Sequence, residues 1–129
     1  MTYFCMIFYP TASEVIEANK IALALTKDKH SHKLRGSAQG IQRLIDDIKK
    51  LEDRGLTYQA ARFMKELVQM HPFDGANHRT SYLVTLLFLT RNGKKLKNEE
   101  PEKVDEFMKD VGAKELEEIQ RWIQQYMVF

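Results

Sequence analysis

The chain has 129 residues, 43% of them hydrophobic and 29% charged, with a formal net charge of +2. These values fit one globular domain that can bury a core without covalent staples, and so small a charge makes no case for a nucleic-acid partner. The single cysteine, Cys5, excludes an internal disulfide and leaves no cysteine pair for structural zinc, so a reduced, cytoplasmic setting is expected.

Tyr3–Tyr9 is rich in aromatic and branched residues and reads as a short strand ended by Pro10. The segment is too short to span a bilayer and carries no charged leader, so no membrane targeting is expected. Thr11 or Ser13 then caps a helix running to about His30, with Val15, Ile16, Ala22 and Leu23 toward the core. Residues 30–36 form a connector; His30 and His32 alternate like paired ligands, but no neighbouring carboxylate or cysteine completes a site. Ser37 opens a second helix whose Ile41, Leu44, Ile45, Ile48 and Leu51 recur at three- and four-residue steps, ending near Arg54-Gly55.

Thr57 is placed to cap a third helix with Ala60, Ala61, Met64, Leu67 and Val68 on one face. Pro72 fits its end. The next helix, about Asn77 to Asn92, is almost wholly apolar after Thr80, which predicts the central buried member of a bundle. Gly93–Lys97 is expected to be extended and to pair with Tyr3–Tyr9; its Lys94, Lys95 and Lys97 form a small basic patch, either solvated or facing an anionic partner. Two further helices follow, about Glu99–Asp110 and Lys114–Tyr126. The last carries Leu116, Ile119, Trp122 and Ile123, a heptad-like face that either packs on its own bundle or dimerises. With no repeat, low-complexity tract or linker, residues 1–129 read as a single domain: an all-α, compact helical bundle of about six helices with a short two-stranded β element.

Residues 71–80, His71-Pro72-Phe73-Asp74-Gly75-Ala76-Asn77-His78-Arg79-Thr80, concentrate the chemistry. Adjacent small residues running into a helix let backbone N–H groups converge on an anion, helped by the helix dipole. A histidine before them adds a proton carrier, and an arginine after them adds a bidentate fork for phosphate. That is the outline of a phosphate-transfer site.

The segment resembles the signature of the Fic/Doc family, H-x-F-x-[D/E]-[G/A]-N-[G/K]-R, with His71, Phe73, Ala76, Asn77 and Arg79 on matching positions. Thr80 after Arg79, and Tyr82 where a second arginine would stand, look like the Doc branch. Looser similarity runs over residues 3–97, through Tyr9-Pro10-Thr11, Glu14-Val15 and Arg91-Asn92-Gly93. The resemblance implies transfer of a phosphoryl or nucleotidyl group from ATP or another nucleoside triphosphate, with Mg²⁺, to a hydroxyl of a target protein such as a translation factor. Phosphoryl transfer is favoured, and a separate antitoxin chain is the expected inhibitory partner. In that reading His71 is the general base and Arg79 clamps phosphate oxygens. Asn77 orients a phosphate or metal-bound water and begins the helix as a cap. The N–H groups of Gly75, Ala76, Asn77 and His78 line the anion hole, and Phe73 pins the loop to the core.

Two positions depart from the signature. Gly75 stands where the family's metal-binding acid is expected, with Asp74 one position earlier; Asp74 is either the metal ligand, the glycine bending the loop to suit, or a solvated carboxylate. His78 replaces the glycine or lysine and either touches phosphate when protonated or lies on the surface. Ser13-x-x-x-Glu17 also resembles the family's inhibitory helix motif, with Ala18 departing from it. A catalytically degenerate fold that binds nucleotide or a protein partner without turnover is the alternative function. A regulatory helical protein using its basic loop is a third.

Overall fold

The computed structural model describes residues 6–26, 34, 37–97 and 100–128. Among them are six α-helices and one two-stranded antiparallel sheet. The expectations for residues 3–5, for the end of the first helix at residues 27–30 and for His30 and His32 fall outside the described residues.

The first helix, α1 (Ala12–Thr26), begins with a reciprocal cap. The Thr11 N–H donates to Glu14 Oε1 at 2.9 Å and the Glu14 N–H to Thr11 Oγ1 at 3.2 Å, so Thr11 rather than Ser13 supplies the cap. Val15, Ala18, Asn19, Ala22 and Leu23 are buried, while Ile16 is only half-buried. Helix α2 (Ala38–Lys49) starts at Ser37, whose Oγ accepts from the Gly40 N–H at 3.2 Å, and buries Ile41, Leu44, Ile45 and Ile48. It stops short of Arg54: the chain tightens into a 3₁₀ turn over Glu52–Arg54 and reverses at Gly55, whose φ of 95° only glycine adopts without strain.

Gly55, not Thr57, precedes α3 (Leu56–Met70). Thr57 lies inside the helix, and its Oγ1 accepts from Gln120 at 3.2 Å. Helix α4 (Asn77–Arg91) packs against α3 and α1, as its apolar composition requires. Phe63 of α3 and Phe88 of α4 meet with ring centroids 5.1 Å apart, and both are fully buried. The buried hydroxyls on α4 are satisfied: Ser81 donates to Met64 O at 2.6 Å and Thr85 to Ser81 O at 2.8 Å.

The strand pairing differs from expectation. Strand β1 (Lys95–Leu96) pairs antiparallel with β2 (Met127–Val128), in register Lys95↔Val128, and not with the N-terminal segment. Residues 6–9 of that segment are not in a strand. Asn92 holds them instead: Oδ1 accepts from the Phe8 N–H at 2.9 Å and Nδ2 donates to Phe8 O at 2.9 Å. One amide side chain thus imitates a strand partner and uses up the backbone groups a ladder would have needed. Helix α5 (Pro101–Met108) and helix α6 (Leu116–Tyr126) complete the bundle, each shorter than the expected span. The apolar face of α6 packs on α3, burying Ile119 and Ile123, so its heptad-like pattern serves the chain's own core.

Candidate phosphate site

Helices α3 and α4 are joined by residues 71–76, and two non-glycine residues there take left-handed backbone: His71 at φ 50° and Ala76 at φ 58°. Left-handed conformations cost L-residues about 1–2 kcal/mol each and persist only where the surroundings hold them. The holding groups are visible. Phe73 is fully buried and forms an isolated antiparallel bridge with Leu34, so its ring pins the loop to the core as expected.

Asn77 is the second fastening. It is 4% exposed; its Oδ1 accepts from the Phe73 N–H at 3.0 Å, and its Nδ2 donates to Phe73 O at 2.9 Å. The same Nδ2 lies 3.3 Å from His71 Nδ1, so the amide braces the imidazole while tying the loop into a closed ring. The expectation of a cap at Asn77 is corrected: Ala76 occupies the cap position, and Asn77 is the first helical residue. Its side chain is spent backward on Phe73 rather than forward on its own helix.

Asn19 of α1 is the third fastening, and sequence reasoning missed it. Its Nδ2 donates to Gly75 O at 2.9 Å and to Thr80 Oγ1 at 3.1 Å, and the residue is completely buried. Thr80 passes the constraint on, its hydroxyl donating to Ala76 O at 2.7 Å and its N–H at 2.9 Å. The available signal was an amide on the apolar stripe of α1, between Ala18 and Ala22. A polar side chain at core spacing must find a polar partner, and here the partner is the loop.

His71, His78 and Arg79 are exposed around this turn. The Arg79 guanidinium meets Asp105 of α5, Nη2 to Oδ2 at 3.3 Å; Asp105 was not anticipated, because nothing in the sequence brings α5 to the start of α4. Between these helices runs an open groove of about 780 Å³, lined by His78, Arg79, Tyr82, Val104, Asp105 and Met108 among others. Cationic and aromatic groups at one edge and apolar side chains below give it the mixed lining of a small-molecule site.

Asp74 is exposed on the loop, and no cluster of three or more histidine, cysteine or acidic side chains suited to a metal occurs among the described residues. A magnesium ion shared with phosphate oxygens needs only one or two protein carboxylates, and Asp74 is the acid on this loop. Glu17 lies at 4.0 Å from Lys20, both well exposed, a surface pair on its own helix. Lys95 and Lys97 lie beyond the far end of α4, roughly 22 Å along its axis from the loop, so the basic patch belongs to another face. The far end of α4 is tied to α1 by Arg91, which forms a two-pronged pair with Glu14 and holds that carboxyl down at about 2. No helix among the described residues is long and apolar enough to cross a membrane.

Residues 11–89, more than half of the chain, match the model of the Fic/DOC family. The match spans α1 to the last turn of α4 and so contains all three loop fastenings. No curated protein matches the chain.

Proposed function

The chain belongs to the Fic/DOC family, and on that premise we propose that it transfers a phosphoryl or nucleotidyl group from a nucleoside triphosphate to a hydroxyl of a target protein, phosphoryl transfer being favoured. The observation that carries the proposal is the joint fastening of His71 and Asn77 around a left-handed turn, with Arg79 following on the first turn of α4. Donor phosphates would sit on the N–H groups from Gly75 to His78, with Arg79 gripping their oxygens and the nucleoside lying toward Tyr82 in the adjoining groove. His71 takes the proton from the attacking hydroxyl as the new O–P bond forms, and the bond from phosphorus to the leaving phosphate oxygen breaks. Magnesium, where bound, neutralises phosphate charge, and Asp74 is the residue that would hold it. A separate antitoxin chain is the partner this reading carries.

One observation favours a second reading. Gly75 offers no carboxylate, and Arg79 already has an anionic partner in Asp105, an arrangement suited to a protein that binds nucleotide without turning it over. Incubation with Mg²⁺, a cell extract and ATP labelled at the γ or the α phosphate separates the two. Label from the γ position alone identifies phosphoryl transfer, and label from both positions identifies nucleotidyl transfer. Loss of label in His71→Ala supports the enzyme; transfer retained by that variant rules His71 out as the base. Nucleotide binding without transfer establishes the second reading.

A further inference from the structure

Asn19 lies outside the signature, yet its amide decides which way one peptide of the loop faces. The carbonyl of Gly75 points inward to Asn19 Nδ2 at 2.9 Å, in a region where Asn19 is completely buried. A trans peptide is planar, with its N–H opposed to its C=O, so the Ala76 N–H must point away from Asn19. We propose that Asn19 is a positioning residue for anion binding, holding the Gly75–Ala76 peptide with its N–H presented to phosphate. This inference rests on the phosphate-site reading above and adds to it a residue on a different helix.

The peptide needs holding because its present orientation is strained. A half-turn of this peptide plane changes only ψ of Gly75 and φ of Ala76. Glycine accepts either ψ, whereas Ala76 would leave φ 58° for the ordinary negative region. An unrestrained loop would therefore favour the flipped peptide, which turns the Gly75 carbonyl, a negative dipole end, toward the anion. Asn19 opposes the flip through one amide hydrogen on Gly75 O; its other hydrogen goes to Thr80 Oγ1, whose own hydrogen fixes the following peptide through Ala76 O at 2.7 Å. The cost is visible on the same side chain, since the buried Oδ1 of Asn19 has no protein partner. Core packing alone would favour an apolar residue there.

Pyrophosphate is the probe, titrated calorimetrically into the wild type, Asn19→Ala, Ala76→Gly, the double variant and Arg79→Ala. Asn19→Ala should weaken binding about tenfold, the worth of one lost hydrogen bond to a buried group. Ala76→Gly in the Asn19→Ala background should restore most of the loss, because glycine removes the strain that drives the flip; a packing defect would not respond to that change. In the wild type the Ala76 amide resonance should also shift on adding pyrophosphate, a readout that needs no variant to fold. Unchanged affinity in Asn19→Ala, no rescue by the second substitution, or an Ala76 amide indifferent to bound pyrophosphate would each overturn the assignment. If the wild type binds and Arg79→Ala weakens binding while Asn19→Ala leaves it unchanged, the positioning role fails while the phosphate site stands. If the wild type does not bind, both fall together.

Discussion

Asp105→Asn tests whether α5 restrains the phosphate fork. Arg79 Nη2 and Asp105 Oδ2 lie 3.3 Å apart, and the two side chains are 52% and 55% exposed. Water screens a pair that open, so its worth falls in the range of about 0.2–1 kcal/mol measured for surface ion pairs. An arriving phosphate must break the pair before Arg79 can grip it, and the pair's free energy is subtracted from binding. Removing the carboxylate should therefore tighten pyrophosphate binding by up to about fivefold, following RT of roughly 0.59 kcal/mol. The measurement is a calorimetric titration at low and at 0.5 M salt (roughly a 4 Å screening length in the latter), with the gain shrinking at high salt. The same substitution in an Arg79→Ala background should give no gain, since nothing remains to release. A gain that persists without Arg79 would assign the effect to bulk charge, and a loss of affinity would mean that Asp105 helps the ligand rather than competing with it.

Two further outcomes follow from the fastenings. Asn77→Ala removes one partner each from the Phe73 N–H and C=O, which then rely on the bridge to Leu34, and should cost about 1–2 kcal/mol. Urea unfolding would show this as a lower midpoint at unchanged slope, and a loss below about 0.5 kcal/mol would mean that the ring of bonds is not what holds the loop. At the far end of α4, Arg91 and secondarily Thr11 hold the Glu14 carboxyl down at about 2 from an ordinary 4.5. A depressed carboxyl stabilises the fold above its unfolded value and loses that contribution as pH falls from about 4.5 through about 2. With side chains 28% and 39% exposed, the contribution is about 1 kcal/mol rather than the whole shift. Glu14→Gln, which keeps an acceptor for the Thr11 N–H, should lose that amount at pH 7 and flatten the acid limb of stability measured across this window; an unaltered limb would contradict the ion pair's role.

Much of the bundle was legible because its signals are local. The three- and four-residue spacing of Ile41, Leu44, Ile45 and Ile48 requires a buried stripe on α2, and all four are buried. The unbroken apolar run of α4 needs cover on most of its surface and receives it from α1 and α3. Gly55 was recognised as the stop after Arg54, and it does close the 3₁₀ turn over Glu52–Arg54, but it also introduces α3 in place of Thr57, because a residue with φ 95° can end one element and begin the next. The sheet was misassigned for a different reason: strands of two residues carry almost no register information. Asn92, by bonding Phe8 through both of its amide atoms, had already removed the N-terminal segment from the competition.

Within the site the division is sharper. The order His71, Phe73, Ala76, Asn77, Arg79 determined by itself the family and the identity of the candidate machinery, because covalent spacing survives any fold. Only the tertiary structure decided how that machinery is held and restrained. Asn19 reaches the loop from 56 residues away and Asp105 reaches Arg79 from 26 residues away. Neither distance in sequence carries any signal; both contacts exist because α1 and α5 pack beside α4. The direction of the Gly75–Ala76 peptide, on which the proposed anion binding turns, is likewise a balance between local strain and a hydrogen bond supplied by another helix. A sequence records the strained residue, but the partner that pins it becomes visible only when the bundle is assembled.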